Sequence, residues 1–417
     1  MGEEVSFKSY EQHQGQLFPA YLSEALDPSD PAFFIDDVVE SLDLSSFEAR
    51  YAGMGEHAYQ PRLLLKLWLY GAPQRVYSGR EIARKVHRDL GFRYLAGCGP
   101  YPDFRTINRF RVRHREDFAE VFRQTVVLAR EAGLGKLGVV AIDGTKIRAN
   151  TSRHKAMSHG RMKKEEKRLA REIEQILGRM DRVNEAEDRR HGDDDGDGGL
   201  PRELQDARAR REKIRVLREQ LEREKAEQGE KVEDRNQKSF ADPEARMMMT
   251  GEGSLHYAYN AQAAVSEDGI LVATGMTRSP RDSGQLVAMV EALHRNVGDK
   301  AGTILADNGY LTEGALREMR RRKQRCLVAV GREGRRPSKW PTGPETQRMH
   351  RVLRLPWAKR CYRRRKTQGE RPYAEIKQAM GFRRFALRGV AKVRGEWDLV
   401  CAAYNLRRLC ALREVSG

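Results

Sequence analysis

Apolar side chains at helical spacing dominate the first 135 residues, a pattern that predicts helices. One apolar run begins after Pro61 and ends at Gly71, since proline suits a first helical turn and glycine a helix end. Ser78 and Glu81 have the spacing of a capping box, which predicts another helix running to about Leu90. We therefore expect an all-α N-terminal region.

An arginine-rich helix is predicted after Asp103, with apolar side chains that include Phe110. Two helices followed by such a helix are typical of a helix-turn-helix-like DNA-binding domain. An ordinary three-helix bundle with a solvated basic face would show the same pattern. Under the DNA-binding hypothesis, the candidate contacts are Arg105, Arg109 and Arg113.

Beyond Leu137 the pattern changes to short apolar runs rich in β-branched residues, which predict buried strands. The run LGVVAID ends at Asp143, and the run GTILAD ends at Asp307. Two more runs, HYAYNAQAAV and ILVATGM, are separated by SEDG and predict a β-hairpin. An amphipathic helix is expected from near Asp282. These elements predict an α/β domain.

The remaining C-terminal elements are predicted from shorter patterns. A helix is expected near 311–322 and a strand over 326–330. Residues 331–358 are rich in Pro, Gly and Arg, which favours a loop. The last 60 residues again have a helical pattern.

Residues 158–235 interrupt the α/β domain with a highly charged segment whose few apolar side chains have helical spacing. We predict an inserted helical hairpin that projects from the domain, because HGDDDGDGGLP between its halves cannot continue a helix. This acidic turn does not match a calcium loop, since the twelfth position from Asp193 is Leu204 and not glutamate. The apolar positions are Leu169, Ile173, Ile176, Met180, Leu204, Ile214, Leu217 and Leu221.

The composition of the 417 residues is strongly basic, with 78 Lys and Arg against 60 Asp and Glu and a net charge of +18. This balance favours polyanions such as nucleic acid, although a merely soluble basic surface would share it. No run approaches the roughly 18 to 20 apolar residues of a membrane span, so we expect a cytoplasmic protein with no membrane partner. No GxxxxGK motif is present, and no ATP use is expected.

Cysteines and histidines give no metal-binding pattern in this sequence. The five cysteines are odd in number and lack CxxC spacing, so we interpret them as free thiols that are mostly packed. His154, His159 and His191 lack metal-ligand spacing, and we interpret them as solvated.

Candidate carboxylates follow two of the predicted strands. Asp143 and Asp307 are each followed by glycine within two residues, where a loop can expose a carboxylate beside a buried sheet. Carboxylates of this kind hold two Mg²⁺ or Mn²⁺ ions about 4 Å apart in enzymes that cleave phosphodiesters. Glu370 is the third candidate, on a helix expected to begin near Gly369 because Pro372 suits a first turn. Glu375 is the competing choice.

The sequence around Glu370 is unusually basic. Thirteen Lys and Arg lie between Lys359 and Arg394, against two acids. This density suits a surface that holds a phosphate backbone. Aromatic side chains interleave with the charges; we expect core packing for Phe382, Phe385 and Trp397.

Taken together, these motifs resemble the DDE transposases of bacterial insertion sequences, whose catalytic domain has the ribonuclease-H-like fold. The resemblance covers PDFRTINRFR, VVAIDGTKIRAN, DPEARMM, YNAQAAV, LADNGY and a tyrosine-arginine-glutamate-lysine signature. In that signature Tyr362, Arg365, Glu370 and Lys377 match, but four residues separate the arginine from the glutamate where three are usual. Lys366 would satisfy the usual spacing.

The resemblance implies that Asp143, Asp307 and Glu370 bind two Mg²⁺ or Mn²⁺ ions, and that water frees a 3′ hydroxyl which attacks target DNA. Tyr362, Arg365 and Lys377 would contact DNA. The partners would be inverted-repeat ends, target DNA and a second protomer in a synaptic complex. From the narrow apolar stripe and mixed charges of the inserted hairpin itself, we expect it to contribute to pairing two protomers, with a mere spacer or a DNA clamp as the alternatives. A nuclease of the same fold without strand transfer, or an inactive DNA-binding descendant, remains an alternative.

This interpretation divides the chain into four parts. Residues 1–135 form the helical DNA-binding domain, and 136–157 with 236–400 form the ribonuclease-H-like catalytic domain. Residues 158–235 form the inserted hairpin, and 401–417 form a C-terminal helical tail.

Overall fold

A computed structural model describes residues 21–51, 58–152, 156–191, 202–227, 229–251, 253–331 and 343–416. The chain divides into two compact units. One comprises the residues up to Arg113 together with those from Leu406 onward, and the other extends from His114 to Asn405. The acidic turn that contains Asp193 lies outside the described residues, as does His154.

The first unit is all-helical where it is described, as predicted. Helix α4 begins at Pro61 and ends at Gly71, which confirms both expected boundaries. Ser78 precedes α5 as predicted, but its side chain makes no capping hydrogen bond, so the capping-box prediction was wrong. Helix α5 ends at Arg88, before the predicted Leu90, because Asp89 is extended and its side chain caps the next helix. The helices are α1 Leu22–Ala25, α2 Pro31–Ser41, α3 Ser45–Glu48, α4 Pro61–Gly71, α5 Gly79–Arg88, α6 Leu90–Ala96 and α7 Phe104–Arg113.

The second unit is built on a mixed sheet. Its strands are β1 Val139–Arg148, β2 Ala156–Ser158, β3 Gln237–Ser239, β4 Arg246–Met249, β5 Leu255–Val265, β6 Leu271–Thr277, β7 Thr303–Ala306 and β8 Cys326–Val328. The main sheet has the order β4-β5-β1-β7-β8, with β6 also paired to β5, while β2 and β3 form a separate ribbon. Strand β1 is antiparallel to β5 and parallel to β7. The predicted hairpin is confirmed as β5 and β6.

Eight further α-helices follow α7 among the described residues. They are α8 Phe118–Glu131, α9 His159–His191, α10 Arg202–Glu227, α11 Gln285–Val297, α12 Glu313–Arg321, α13 Pro344–Val352, α14 Pro356–Ala374 and α15 Val390–Ser416. The predicted loop over 331–358 was wrong from 344 onward, because Pro344 and Pro356 occupy the first turns of α13 and α14. A proline at that position begins a helix instead of preventing one, since the missing N–H has no helical acceptor there.

Strand β1 is longer than its apolar run. The sequence predicted an end at Asp143, but the strand continues to Arg148 because polar residues on it remain paired with β5. Asp143 therefore lies inside the strand, opposite Ala263, and not at its end. Beyond Asp143 the side chains of β1 no longer form an apolar run, but main-chain hydrogen bonds to β5 keep the segment extended.

The two faces of the sheet are covered by different helices. Gly369 on α14 lies next to Ala141 and Asp143, which share one face of β1. Gly144 points to the opposite face and pairs with Gln262, which in turn pairs with Gly275. The absent side chain of Gly275 would meet the sulfur of Met289 on α11. Helices α14 and α11 thus lie on opposite faces.

The position of Pro372 predicted a helix start near Gly369, and this prediction was wrong. Helix α14 begins at Pro356, contains Pro372, and is followed by a π-helical turn at Glu375–Ala379. Proline within a helix removes one backbone hydrogen bond and disturbs the preceding turn. Here the helix continues because it packs on the sheet, with Pro372 and Tyr373 both buried. Tertiary packing outweighs the local preference.

The inserted segment forms two long helices, α9 and α10, as predicted. Seven of the predicted apolar side chains are buried: Leu169, Ile173, Ile176, Leu204, Ile214, Leu217 and Leu221. The side chain of Met180 lies outside the described residues. The segment emerges from the ribbon in which Met157 pairs with Lys238. Its helices pack on each other through a narrow apolar stripe.

Candidate active site

Asp143 lies on β1, and Asp307 directly follows the neighbouring parallel strand β7. Ala141 on β1 pairs with Leu305 on β7, and each aspartate follows two residues later. The register therefore brings two carboxylates, separated by more than 160 residues of sequence, to the same place in the sheet. Asp307 directly follows β7, as predicted. These are the two predicted site residues that the structure brings together.

Each of the two carboxylates accepts a backbone hydrogen bond. Asp143 Oδ1 accepts from Gly144 N at 2.8 Å, and Asp307 Oδ1 accepts from Gly309 N at 2.8 Å. Burial raises the pKa of Asp143 to about 6; the Gly144 N–H and Arg365 oppose this shift, and nearby Asp307 adds to it. Burial likewise raises the pKa of Asp307. Both carboxylates are thus placed where negative charge is costly.

Helix α14 contacts the sheet through a side chain and a glycine next to Glu370. Gln368 Nε2 donates to Val139 O and to Val265 O, each at 2.8 Å, which joins the helix to β1 and β5. The absent side chain of Gly369 would lie 3.4 Å from Asp143 Cβ and 3.5 Å from its Oδ2. A methyl group at this position would be in van der Waals contact with Asp143, so the helix approaches the aspartate closely here.

Glu370 is the third predicted carboxylate, and its side chain is exposed. It follows the glycine that touches Asp143, so its backbone is near the two aspartates. Within the described part of the chain, no three His, Cys, Asp or Glu side chains converge as a metal site. The structure thus assembles two of the three predicted carboxylates. The competing Glu375 accepts a hydrogen bond from Arg371 at 3.1 Å.

The other signature residues lie around the aspartates. Tyr362 donates through its hydroxyl to Ala306 O at 3.2 Å, directly before Asp307. Lys377 donates to Thr145 Oγ1, two residues after Asp143. The guanidinium of Arg365 lies 5.8 Å from the ring centre of Tyr362 and lowers the pKa of both aspartates. These side chains therefore hold the helix on the strands that carry the carboxylates.

Several residues of this site gave no signal in the sequence. Tyr373 is buried and donates to Asp143 O at 2.5 Å. Tyr310 donates to Gln262 Oε1. Asp282, predicted only as a helix start, contributes to the pKa of both aspartates. Its helix begins at Gln285 instead.

The first unit carries its own basic surface on α7. Ile107 and Phe110 are buried, and so is Arg111, whose guanidinium lies 4.3 Å from the ring centre of Trp68. The candidate contacts lie at intervals of four residues on the exposed side of the helix, and they are Arg105, Arg109 and Arg113. Arg113 also contacts the ring of Tyr51, at 4.3 Å from its centre.

Other sequence-based expectations have mixed outcomes. All five cysteines are free, with Cys401 buried and Cys98 exposed. His159 is not solvated: it is buried at the base of the hairpin, with Nε2 at 2.7 Å from Glu222 Oε1. Phe382, Phe385 and Trp397 are buried in the core, as predicted. Among the described residues, no helix is long and apolar enough to span a membrane.

Replacing Asp143 with asparagine is expected to stabilise the metal-free protein at pH 7. The raised pKa means that ionising Asp143 costs folding free energy, and a shift from 3.8 to about 6 corresponds to about 3 kcal/mol. This cost grows as pH rises from about 4 to 6, because the folded state binds the proton more tightly. Urea unfolding in EDTA measures the effect.

The matched control for that measurement is Asp299→Asn, which removes an exposed carboxylate paired with Arg130. The difference in unfolding free energy between wild type and Asp143→Asn should vanish below about pH 4. Equal stabilities of wild type and Asp143→Asn at pH 7 would show that Asp143 is not held in a costly ionised state.

Comparisons with known families agree with this arrangement. Residues 20–113 match the model of a transposase domain, and residues 208–406 match that of a transposase DDE domain. Together the two matches cover most of the chain. The second match includes Asp307 and Glu370 but begins within α10, so it leaves out Asp143. No curated protein and no solved structure matches the chain.

Proposed function

Because the chain belongs to the transposases with a DDE catalytic domain, we propose that it cleaves the ends of an insertion sequence and joins their 3′ ends to target DNA. The observation that carries this proposal is the pairing of Asp143 with Asp307 on parallel strands beneath the helix of Glu370. We further propose that the sheet is ribonuclease-H-like, with the four-part division of the chain given by the sequence.

Divalent metal fits the donors at this site. Asp143 and Asp307 offer hard carboxylate oxygens of the kind that Mg²⁺ and Mn²⁺ prefer. Burial raises the pKa of both, and the charge of Asp307 adds to the shift of Asp143 as that of Asp282 adds to the shift of Asp307; a nearby cation would offset this cost. When bound, two such ions activate the attacking oxygen and stabilise the leaving oxygen of a phosphodiester. We propose Glu370 as the third ligand.

The side chains around the aspartates have distinct roles in this proposal. Glu370 is exposed on α14 and would have to turn toward them to act as the third ligand. Tyr373 and Lys377 fix the strand segment around Asp143 against the helix. Tyr362 does the same for the strand end before Asp307. Arg365 supplies a positive charge that offsets the carboxylates and can contact a phosphate.

DNA recognition is proposed for the first unit. Arg105 and Arg109 lie on the exposed side of α7, one turn apart, while buried Ile107 faces the core. Arg80 on α5 and Arg105 both lie over the ring of Phe104, at 4.8 and 5.6 Å, so the basic surface extends across two helices. Cationic side chains spaced along a helix neutralise successive phosphates.

The proposed function is tested with DNA that carries the inverted repeats flanking the gene. Protein, Mg²⁺, this DNA and a target plasmid are incubated, and the products are sequenced. Joined products with the repeat ends at their junctions are expected. Cleaved ends without joining would identify a nuclease. Binding without cleavage would identify an inactive DNA-binding descendant.

The inserted hairpin is proposed to contribute to the pairing of two protomers. Its base is tied to the catalytic unit, where Glu224 on α10 pairs with buried Lys238 at 2.8 Å and with Arg246 at 2.7 Å. Beyond this base its surface is charged, and Arg218 bridges Glu166 and Glu222. A solvated, firmly anchored hairpin is suited to reach a second protomer without disturbing the core.

Shortening the hairpin above its base should therefore separate pairing from folding. A short Gly/Ser linker in place of Arg171 to Lys213 leaves the pairs of Glu166 and Glu224 intact. Folding and single-end binding should be preserved, while paired-end complexes should fall by about a hundredfold as the second contact is lost. Gel-shift assays with one and two ends measure both. Undiminished pairing by the shortened protein would leave the hairpin as a spacer.

A further inference from the structure

Lys146 is a cation near Asp307, on the face of β1 that Gly144 shares. It lies on β1, three residues after Asp143, and its Nζ is 3.3 Å from Asp282 Oδ1 and 3.4 Å from Oδ2. Both side chains are largely buried, with 18% and 15% exposure. Lys146 also lowers the pKa of Asp307, although burial has the larger and opposite effect. Its ammonium group is therefore within electrostatic reach of Asp307.

Asp282 is held firmly by the neighbouring strand. Its Oδ1 accepts from Asn260 Nδ2 at 2.6 Å and from Gln262 Nε2 at 2.8 Å, both on β5. A side chain on Gly144 would meet this oxygen at 2.8 Å, and one on Gly309 would meet Oδ2 at 3.2 Å. The carboxylate thus occupies space left by two glycines, each within two residues of an aspartate of the site.

We propose that Asp282 is a positioning residue that holds the Lys146 ammonium group away from Asp307 and so keeps that carboxylate available to metal. Without this acceptor, Asp307 remains an anion within electrostatic reach of Lys146, and an ion pair there would compete with a divalent cation for the same oxygens. Asp282 acts through Lys146 and is not itself a ligand. The inference rests on the proposed metal binding by Asp143 and Asp307.

A double-mutant cycle in the full-length protein tests this role. Mn²⁺ binding is measured by the enhancement of water-proton relaxation in wild type, Asp282→Asn, Lys146→Met and the double variant. Asp282→Asn should weaken Mn²⁺ binding about tenfold, since Lys146 is released toward Asp307. Lys146→Met should change binding less than about threefold, and the double variant should return to within about threefold of wild type.

Controls distinguish this inference from the proposed function. Asp307→Asn defines binding at the site, and Asp299→Asn removes an equal charge from an exposed pair with Arg130. Thermal melting checks folding, and Asp282→Ala carries the same expectations if Asp282→Asn does not fold. Wild-type affinity in Asp282→Asn would overturn the inference, as would a double variant as weak as Asp282→Asn. Equal Mn²⁺ binding by wild type and Asp307→Asn would overturn the proposed metal site itself.

Discussion

Asp307→Asn should reduce DNA cleavage by about a thousandfold or more, because losing a proposed metal ligand would remove several kcal/mol of transition-state stabilisation. Asp143→Asn and Glu370→Gln should have effects of similar size. Binding of a transposon end should stay within about twofold of wild type, since each change alters charge and leaves shape nearly intact. Single-turnover cleavage and gel-shift assays measure the two properties.

The chain offers a matched control for the glutamate. Glu375 lies five residues after Glu370, and its carboxylate accepts a hydrogen bond from Arg371. Glu375→Gln should retain near-wild-type cleavage. The opposite outcome, an active Glu370→Gln and an inactive Glu375→Gln, would transfer the role to Glu375. Any aspartate variant with near-normal cleavage would remove that residue from the proposed triad.

Affinity for DNA should fall about a thousandfold between 50 and 200 mM salt, the loss expected for a protein that neutralises about six phosphates. The reason is the release of counterions from DNA by the basic side chains of a chain with net charge +18. Fluorescence anisotropy with a labelled end fragment measures the slope of affinity against salt.

Substitution of two arginines tests whether the first unit contributes to this salt dependence. Replacing Arg105 and Arg109 together should reduce the slope by about two, since each phosphate contact contributes about 0.9. Arg321→Ala serves as the control because this exposed side chain pairs with Glu318 at 2.6 Å. An unchanged slope in the Arg105 and Arg109 variant would place the phosphate contacts elsewhere. A flat dependence in wild type would contradict the basic-surface argument.

The pairing of the aspartates could be predicted because it depends on local patterns. Short apolar runs identify β1 and β7, and parallel strands bring their corresponding positions together. The length of β1 could not be predicted, since its second half, which includes Lys146, is maintained by β5 more than 100 residues away. Hydrophobicity reports burial of side chains and not the pairing of main chains.

Prolines explain two further differences between the predicted and the observed helix boundaries. Pro344 and Pro356 were counted as loop signals, yet both begin helices. Pro372 was taken for a helix start, yet it lies inside α14. Local rules give the allowed positions of proline, and packing against the sheet selects among them.

The contacts of Asp282 could not be predicted from the sequence. Its neighbours SPRDSGQ resemble an ordinary helix start. Its role is visible only in the fold, where Lys146 on β1 and both Asn260 and Gln262 on β5 donate hydrogen bonds to it. His159 is similar, since Glu222 approaches it from the second helix of the hairpin. Such polar networks form between segments that are distant in sequence, so the periodicity of apolar residues does not predict them.

The first unit includes residues from Leu406 onward together with those up to Arg113. A ribosome therefore makes this part of the first unit only after every segment of the second unit. A polypeptide that stops before Leu406, through a nonsense mutation or a frameshift, leaves the unit of Arg105 and Arg109 without this helical segment. Decayed gene copies of this kind would not yield an intact competitor for the ends that the protein is proposed to bind.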